Sequence, residues 1–136
     1  MRRQVLLADD DESVRKMVGR VLESEGYEVV TAGSGREAIG RFLGASPDLI
    51  LLDLNMPDHD GWEAFDVIGQ FAPGVPVIVI TARPNQQERA IRAGVDGLME
   101  KPLDLPLLLQ TMDQLMSRSV KRQSVQLAGV PIAAGV

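Results

Sequence analysis

Apolar residues are distributed along this chain in two patterns. Short unbroken runs, Val5-Leu6-Leu7-Ala8, Leu49-Ile50-Leu51-Leu52 and Val77-Ile78-Val79-Ile80, read as strands covered on both faces. Between such runs the apolar positions recur every three or four residues. Val14, Met17, Val18, Val21 and Leu22 form a helical stripe, with Asp11 or Ser13 as its cap and Gly26 as its end. Tyr27 to Ala32, rich in β-branched residues, predicts a second strand. Gly33-Ser34-Gly35 then opens a second helix carrying Ala38, Ile39, Phe42 and Leu43, which stops at Gly44 to Pro47. The third strand runs from Leu49 to Asp53. A third helix follows Gly61, with Phe65 and Ile68 inward and Trp62 and Phe71 as further inward candidates, until Pro73-Gly74-Val75-Pro76 breaks it.

The second half repeats the alternation. Val77 to Thr81 is the fourth strand, Pro84 to Ala93 a short fourth helix closed by Gly94, and Gly97 to Lys101 the fifth strand. Asp104 caps a last helix, which tolerates Pro106 in its first turn and buries Leu105, Leu108, Leu109, Met112, Leu115 and Met116. Strands alternating with helices over short connections demand an α/β fold, a doubly wound and mostly parallel sheet with helices on both faces. From Ser117 onward no stripe continues. Residues 1–118 are expected to form one domain, and 119–136 a disordered tail or linker.

Composition narrows the chemistry. The chain has 136 residues, enough for one well-buried core, and its 45% hydrophobic and 24% charged content is that of a soluble globular domain. It contains no cysteine and one histidine, His59, so thiolate sites and zinc sites needing several imidazoles are excluded. A cytoplasmic location is the expectation. A net charge of −5 lacks the basic footprint of a nucleic-acid binder. No apolar run approaches the ~18 residues of a membrane span, and the run after Arg2-Arg3 is too short for a signal peptide. Neither direct nucleic-acid binding nor membrane association is expected.

The residues at which strands stop carry the chemical signal. They are Asp9-Asp10, Asp53, Thr81 and Lys101. Singly, each has a plain structural reading: acids favour helix starts, a threonine can close a turn, and a lysine can simply be solvated. Together they supply the parts of one phosphoryl-transfer site at the carboxyl edge of an open sheet, where such folds bind ligands. Three carboxylates within ~4 Å would repel by several kcal/mol at an effective dielectric near 20, so the cluster calls for a cation. With oxygen ligands only, the matching ion is hard and divalent, Mg²⁺ or its substitute Mn²⁺. An aspartate beside such an ion can act as a nucleophile and form an acyl phosphate, with Lys101 and the Thr81 hydroxyl meeting the phosphoryl oxygens.

These residues resemble the receiver domain of two-component response regulators, of the chemotaxis-regulator type. The matching pieces are Asp9-Asp10 after the first strand, Asp53-Leu54-Asn55-Met56-Pro57 with Gly61 following, Thr81-Ala82, Ala93-Gly94-Val95-Asp96-Gly97 and Lys101-Pro102, in family order from about Gln4 to Met116. The resemblance implies that Asp53 accepts phosphate from a sensor histidine kinase or histidine phosphotransfer protein. It implies that Asp10 and Asp53 ligate the metal, Asp9 holds a metal-bound water and the Asn55 backbone carbonyl completes the set. Thr81 and Lys101 would hold the phosphoryl group, and the small Ala82 would leave it room. The strand order 2-1-3-4-5 and a cis Lys101–Pro102 bond are implied in the same way. Such a protein catalyses its own phosphorylation and dephosphorylation without being a conventional enzyme. Its partner is a downstream protein target or an output domain.

Two features depart from the family pattern. Leu98 stands where relatives carry an aromatic switch residue that moves with the threonine, and the segment from Thr81 to Lys101 is shorter than in many of them. Other readings compete. Haloacid-dehalogenase-like phosphatases also use an aspartate, a hydroxyl and a lysine, but need a second carboxylate where Asn55 stands. A dinucleotide site at Gly33-Ser34-Gly35 lacks its third glycine and ribose acid. Within the receiver reading, the chain is a stand-alone regulator, the isolated receiver of a longer transcriptional or enzymatic regulator, or a homodimer paired through its fourth and fifth helices by Arg89, Arg92, Glu100 and Asp113.

Overall fold

The computed structural model describes residues 2–58 and 60–119. The elements alternate as the sequence pattern requires. They are β1 (Gln4–Ala8), α1 (Glu12–Ser24), β2 (Glu28–Ala32), α2 (Gly35–Gly44), β3 (Leu49–Asp53), α3 (Gly61–Phe71), β4 (Val77–Thr81), α4 (Gln87–Ala93), β5 (Gly97–Glu100) and α5 (Leu105–Ser119). All strand pairings are parallel, in the order β2-β1-β3-β4-β5. Most of the tail expected over 119–136 lies outside the described residues, as does His59. Among the described residues no helix is long and apolar enough to cross a membrane.

Both faces of the sheet are covered, which is why its strands are continuous apolar runs. Leu6, Ile50, Leu52, Val77 and Val79 face Ala38 and Phe42 of α2, Trp62, Ala64 and Ile68 of α3 and Ala90 of α4. Val5, Leu7, Leu49, Leu51, Ile78 and Ile80 face Val18 and Leu22 of α1 and Leu108, Met112, Leu115 and Met116 of α5. Each fully buried leucine or isoleucine contributes about 1.5–3 kcal/mol, so the three central strands anchor the platform on which the site stands.

Helix ends follow local chemistry. Asp11 caps α1 by accepting from the Ser13 and Val14 amides, Ser34 caps α2, and Asp60 with Glu63 makes a capping box on α3. Asp104 accepts from the Leu107 amide at 3.1 Å at the start of α5. Gly26, just after α1, and Gly94, at the end of α4, take positive φ values of 95° and 81°.

Several boundaries differ from the sequence pattern. α4 begins at Gln87, not Pro84, because Asn85 takes a left-handed φ of 61° that interrupts any helix there. β2 starts at Glu28 and β5 ends at Glu100, each one residue inside the expected span. Met17, Leu43 and Phe71, expected in buried stripes, are 48%, 57% and 63% exposed.

Candidate functional site

Register brings the strand ends to one edge. Ala8 pairs with Leu52, Asp53 with Ile80 and Thr81 with Glu100, so the residues that follow these pairs emerge side by side. Backbone bonds extend the ladder past the strands: Asp9 N–H donates to Ala32 O at 3.0 Å, Leu54 N–H to Ile80 O at 3.0 Å and Lys101 N–H to Thr81 O at 2.8 Å. The Lys101–Pro102 bond is cis, in line with the family expectation.

The side chains converge there. Asp9, Asp53 and Thr81 are buried, whereas Asp10 is exposed at the rim. Oxygens of Asp9, Asp10 and Asp53 all lie within 4.8 Å of one another. The Lys101 ammonium sits 3.0 Å from Asp9 Oδ2 and donates to Asp53 Oδ2 at 3.2 Å. Asp9 Oδ1 accepts from the Asp11 amide at 2.9 Å, and Asp53 Oδ1 from the Asn55 amide at 3.0 Å. One face of each carboxylate is thus held by the backbone and the other by Lys101. Thr81 Oγ1 accepts from the Arg83 amide at 2.8 Å, which leaves its proton free to be donated.

The electrostatics follow from this crowding. Burial pushes the Asp53 carboxyl up to about 6, and the charge of Asp9 adds to the shift, against the Asn55 amide and Lys101, which lower it. Burial alone would lower Lys101, but hydrogen bonds and charge from Asp9 and Asp53 prevail and raise it. Three carboxylates face one ammonium, a local excess of negative charge. A hard divalent cation fits that donor set in charge and in ligand type.

Other residues of the site had no sequence signal. Arg83 reaches across the mouth, its Nε donating to Asn55 Oδ1 at 2.7 Å and its Nη1 lying 3.9 Å from Asp60 Oδ1. Arg15 donates to the Asp9 carbonyl at 2.6 Å and fixes the β1–α1 turn. The Asp58 carboxylate accepts from the Gly35 and Arg36 amides at 2.8 and 2.9 Å, tying the loop after Asp53 to the start of α2. Leu98 is buried on β5 among the residues packed under α2, α3 and α4. Of the residues named for a dimer, Arg89 lies over the Trp62 ring at 5.1 Å and Arg92 pairs with Glu88 of its own helix at 3.7 Å.

A parallel sheet in this order, with a carboxylate cluster, a hydroxyl and an ammonium at its carboxyl edge, has the parts that phosphoryl chemistry on a carboxylate requires. The chain belongs to the response regulator receiver domain family, whose model matches residues 5–113. It is 38% identical over 117 residues to the transcriptional regulatory protein GlrR of Escherichia coli, covering 85% of this chain and 26% of that protein. It is 33% identical to the chemotaxis protein CheY of Halobacterium salinarum, covering 86% of this chain and 99% of that protein. The chain therefore spans about a quarter of the length of the first relative and nearly all of the second. Among solved structures, the response regulator TrrA of Thermotoga maritima in complex with Mg(2+)-BeF superposes with a TM-score of 0.77 at 27% identity, covering 83% of this chain and 98% of that one.

Proposed function

We propose that the chain accepts a phosphoryl group on Asp53 from the phosphohistidine of a sensor histidine kinase or phosphotransfer protein, and that the modified form switches its binding to other proteins. The observation that carries this reading is the Lys101 ammonium lying between Asp9 and Asp53, 3.0 and 3.2 Å from their oxygens.

An Asp53 oxygen attacks phosphorus; the new O–P bond forms as the P–N bond to the donor imidazole breaks, and the imidazole takes up a proton as it leaves. Lys101, already on the carboxylate, turns to the transferred oxygens, and the Thr81 hydroxyl donates a hydrogen bond to one of them. Asp9, Asp10, Asp53 and the Asn55 carbonyl would hold Mg²⁺ or Mn²⁺, which when bound neutralises the charge of carboxylates and phosphoryl oxygens. Hydrolysis of the acyl phosphate releases inorganic phosphate and restores Asp53, so the chain promotes both its own modification and its reversal. Asn55 stands where a phosphatase of the same general chemistry would need a second carboxylate, and its side-chain oxygen is already taken by Arg83.

The relatives match both modes of output, a stand-alone protein and the receiver portion of a longer transcriptional regulator, and a cytoplasmic site of action suits both. Incubation with acetyl phosphate and Mg²⁺ tests the proposal. Intact mass is expected to rise by one phosphoryl group, with the adduct lost in EDTA and in Asp53→Asn; an adduct that persists unchanged in Asp53→Asn refutes the site.

A further inference from the structure

On β5, the side chain packed into the cluster under α2, α3 and α4 is Leu98, which is aliphatic and has no polar atom. A polar contact is built at the start of α3. The single tryptophan of the sequence, Trp62, is buried in the first turn of α3. Its indole N–H donates to Gln86 Oε1 at 3.3 Å, the Arg89 guanidinium lies over its ring at 5.1 Å, and Phe65 meets it edge-on at 6.2 Å. Gln86 is the residue from which α4 departs; its carbonyl accepts from the Ala90 amide at 2.9 Å.

The two ends of this contact differ in rigidity. The Trp62 end is fixed to the phosphoacceptor strand, because Gly61 donates to Leu54 O at 3.1 Å and packs so closely that a Cβ on it would meet Leu54 Cα at 2.5 Å. The α4 end is weakly determined. α4 has 7 residues, no side-chain cap among the described residues, and a left-handed Asn85 just before Gln86. Only Ala82 to Asn85 separate Thr81 from Gln86. An inward movement of Thr81 is thus transmitted over a short link toward Gln86, while Trp62 is held at β3.

We propose that Trp62 is a latch: its indole holds the uncapped start of α4 through Gln86 and Arg89, and phosphorylation of Asp53, by drawing Thr81 and its loop inward, pulls Gln86 off the indole and frees α4 for a partner. The proposal rests on the phosphoacceptor reading for its trigger, while the latch contact itself can be tested without it.

Hydrogen exchange of the full-length chain, read at the α4 amides, is compared for the parent, Gln86→Ala and Trp62→Phe without phosphodonor. Removing one hydrogen bond of ordinary net strength predicts α4 exchange about five-fold faster in Gln86→Ala, and losing the same bond while weakening the cation–π contact predicts at least about five-fold in Trp62→Phe. Exchange unchanged from the parent in both variants overturns the latch, whatever happens at Asp53. Trp62 emission is then followed during treatment with acetyl phosphate and Mg²⁺, with intact mass measured on the same samples. Emission in the parent is expected to shift in proportion to the adduct, and in Gln86→Ala to start near the shifted value and change little. A full adduct with unmoved emission and unmoved α4 exchange in the parent also overturns the latch. Absence of any adduct counts against the phosphoacceptor reading and, since the trigger is lost, against the release step, while the exchange comparison still decides the contact.

Discussion

Lys101 and Asp53, separated by 48 positions in the chain, meet through an ammonium–carboxylate hydrogen bond of 3.2 Å, and the same ammonium lies 3.0 Å from Asp9. The lysine thus stands as the internal counter-ion of an otherwise acidic pocket. Replacing it with the unbranched, slightly shorter and uncharged methionine leaves Asp9 and Asp53 facing each other. Lys101→Met is expected to lose about 1–3 kcal/mol of stability at neutral pH without divalent ions, because unpaired buried charges are costly. It should also bind Mg²⁺ several-fold more tightly, since the competing cation is gone. Urea denaturation with and without Mg²⁺ reads both effects.

The pH dependence of stability should carry the signature of Asp53. Its carboxyl is raised from 3.8 to about 6, so between those values the folded chain binds the proton more strongly than the unfolded chain does. The associated stability is fully present below about pH 4 and is lost as pH rises through about 6. Asp53→Asn has no such loss. In EDTA the variant is expected to exceed the parent by about 2–3 kcal/mol at pH 7.5, with the gap narrowing as pH falls through about 6 and largely closed by about pH 4. Paired denaturation curves across pH 4–8 provide the check, and a gap that does not vary with pH would contradict the charge argument.

Gly61 tests the rigidity of the loop that carries the site. A Cβ there would lie 2.5 Å from Leu54 Cα and 2.7 Å from Asp53 O, both backbone atoms that cannot step aside. Gly61→Ala should cost about 2 kcal/mol or more by overpacking and weaken Mg²⁺ binding as the Asp53 loop shifts. Thermal unfolding together with metal titration would reveal both.

Arg83 spans the mouth of the pocket but is partly solvated, bonded to Asn55 Oδ1 at 2.7 Å. Arg83→Ala is expected to change stability by less than about 1 kcal/mol and to tighten Mg²⁺ binding about two-fold at low salt. Because exposed charges are screened, that gain should vanish in high salt, whereas the tightening in Lys101→Met should largely survive. Calorimetric titration at two ionic strengths separates the cases.

The strand tips were legible in the sequence because a strand buried on both faces announces itself as an unbroken apolar run, and the first polar residue after it must lie at the sheet edge. Asp9, Asp53 and Thr81 follow from that rule, whereas Lys101 lies one residue beyond Glu100, the first polar residue after Gly97-Leu98-Met99. The topology needed the family resemblance, since alternation alone does not order five strands. What stayed hidden were contacts between loops. Neither Arg83 on Asn55, Asp58 on the start of α2, nor Trp62 on Gln86 obeys a spacing rule, because each joins segments whose approach depends on the assembled sheet. The start of α4 is not legible for a local reason: the left-handed Asn85 is compatible with the same residues that would open a helix at Pro84.

In the proposed mechanism Asp53, Thr81 and Lys101 serve one phosphoryl group beside a cation held by the acidic cluster. A crystal structure of the chain with Mg²⁺ and beryllofluoride, a tetrahedral phosphoryl analogue, tests it most directly. Beryllium is expected on the Asp53 carboxylate, with fluorines in hydrogen-bonding contact with the Lys101 ammonium and the Thr81 hydroxyl and the cation on the acidic cluster. Beryllofluoride bound elsewhere, or bound at Asp53 with Thr81 and Lys101 both turned away, would contradict the account.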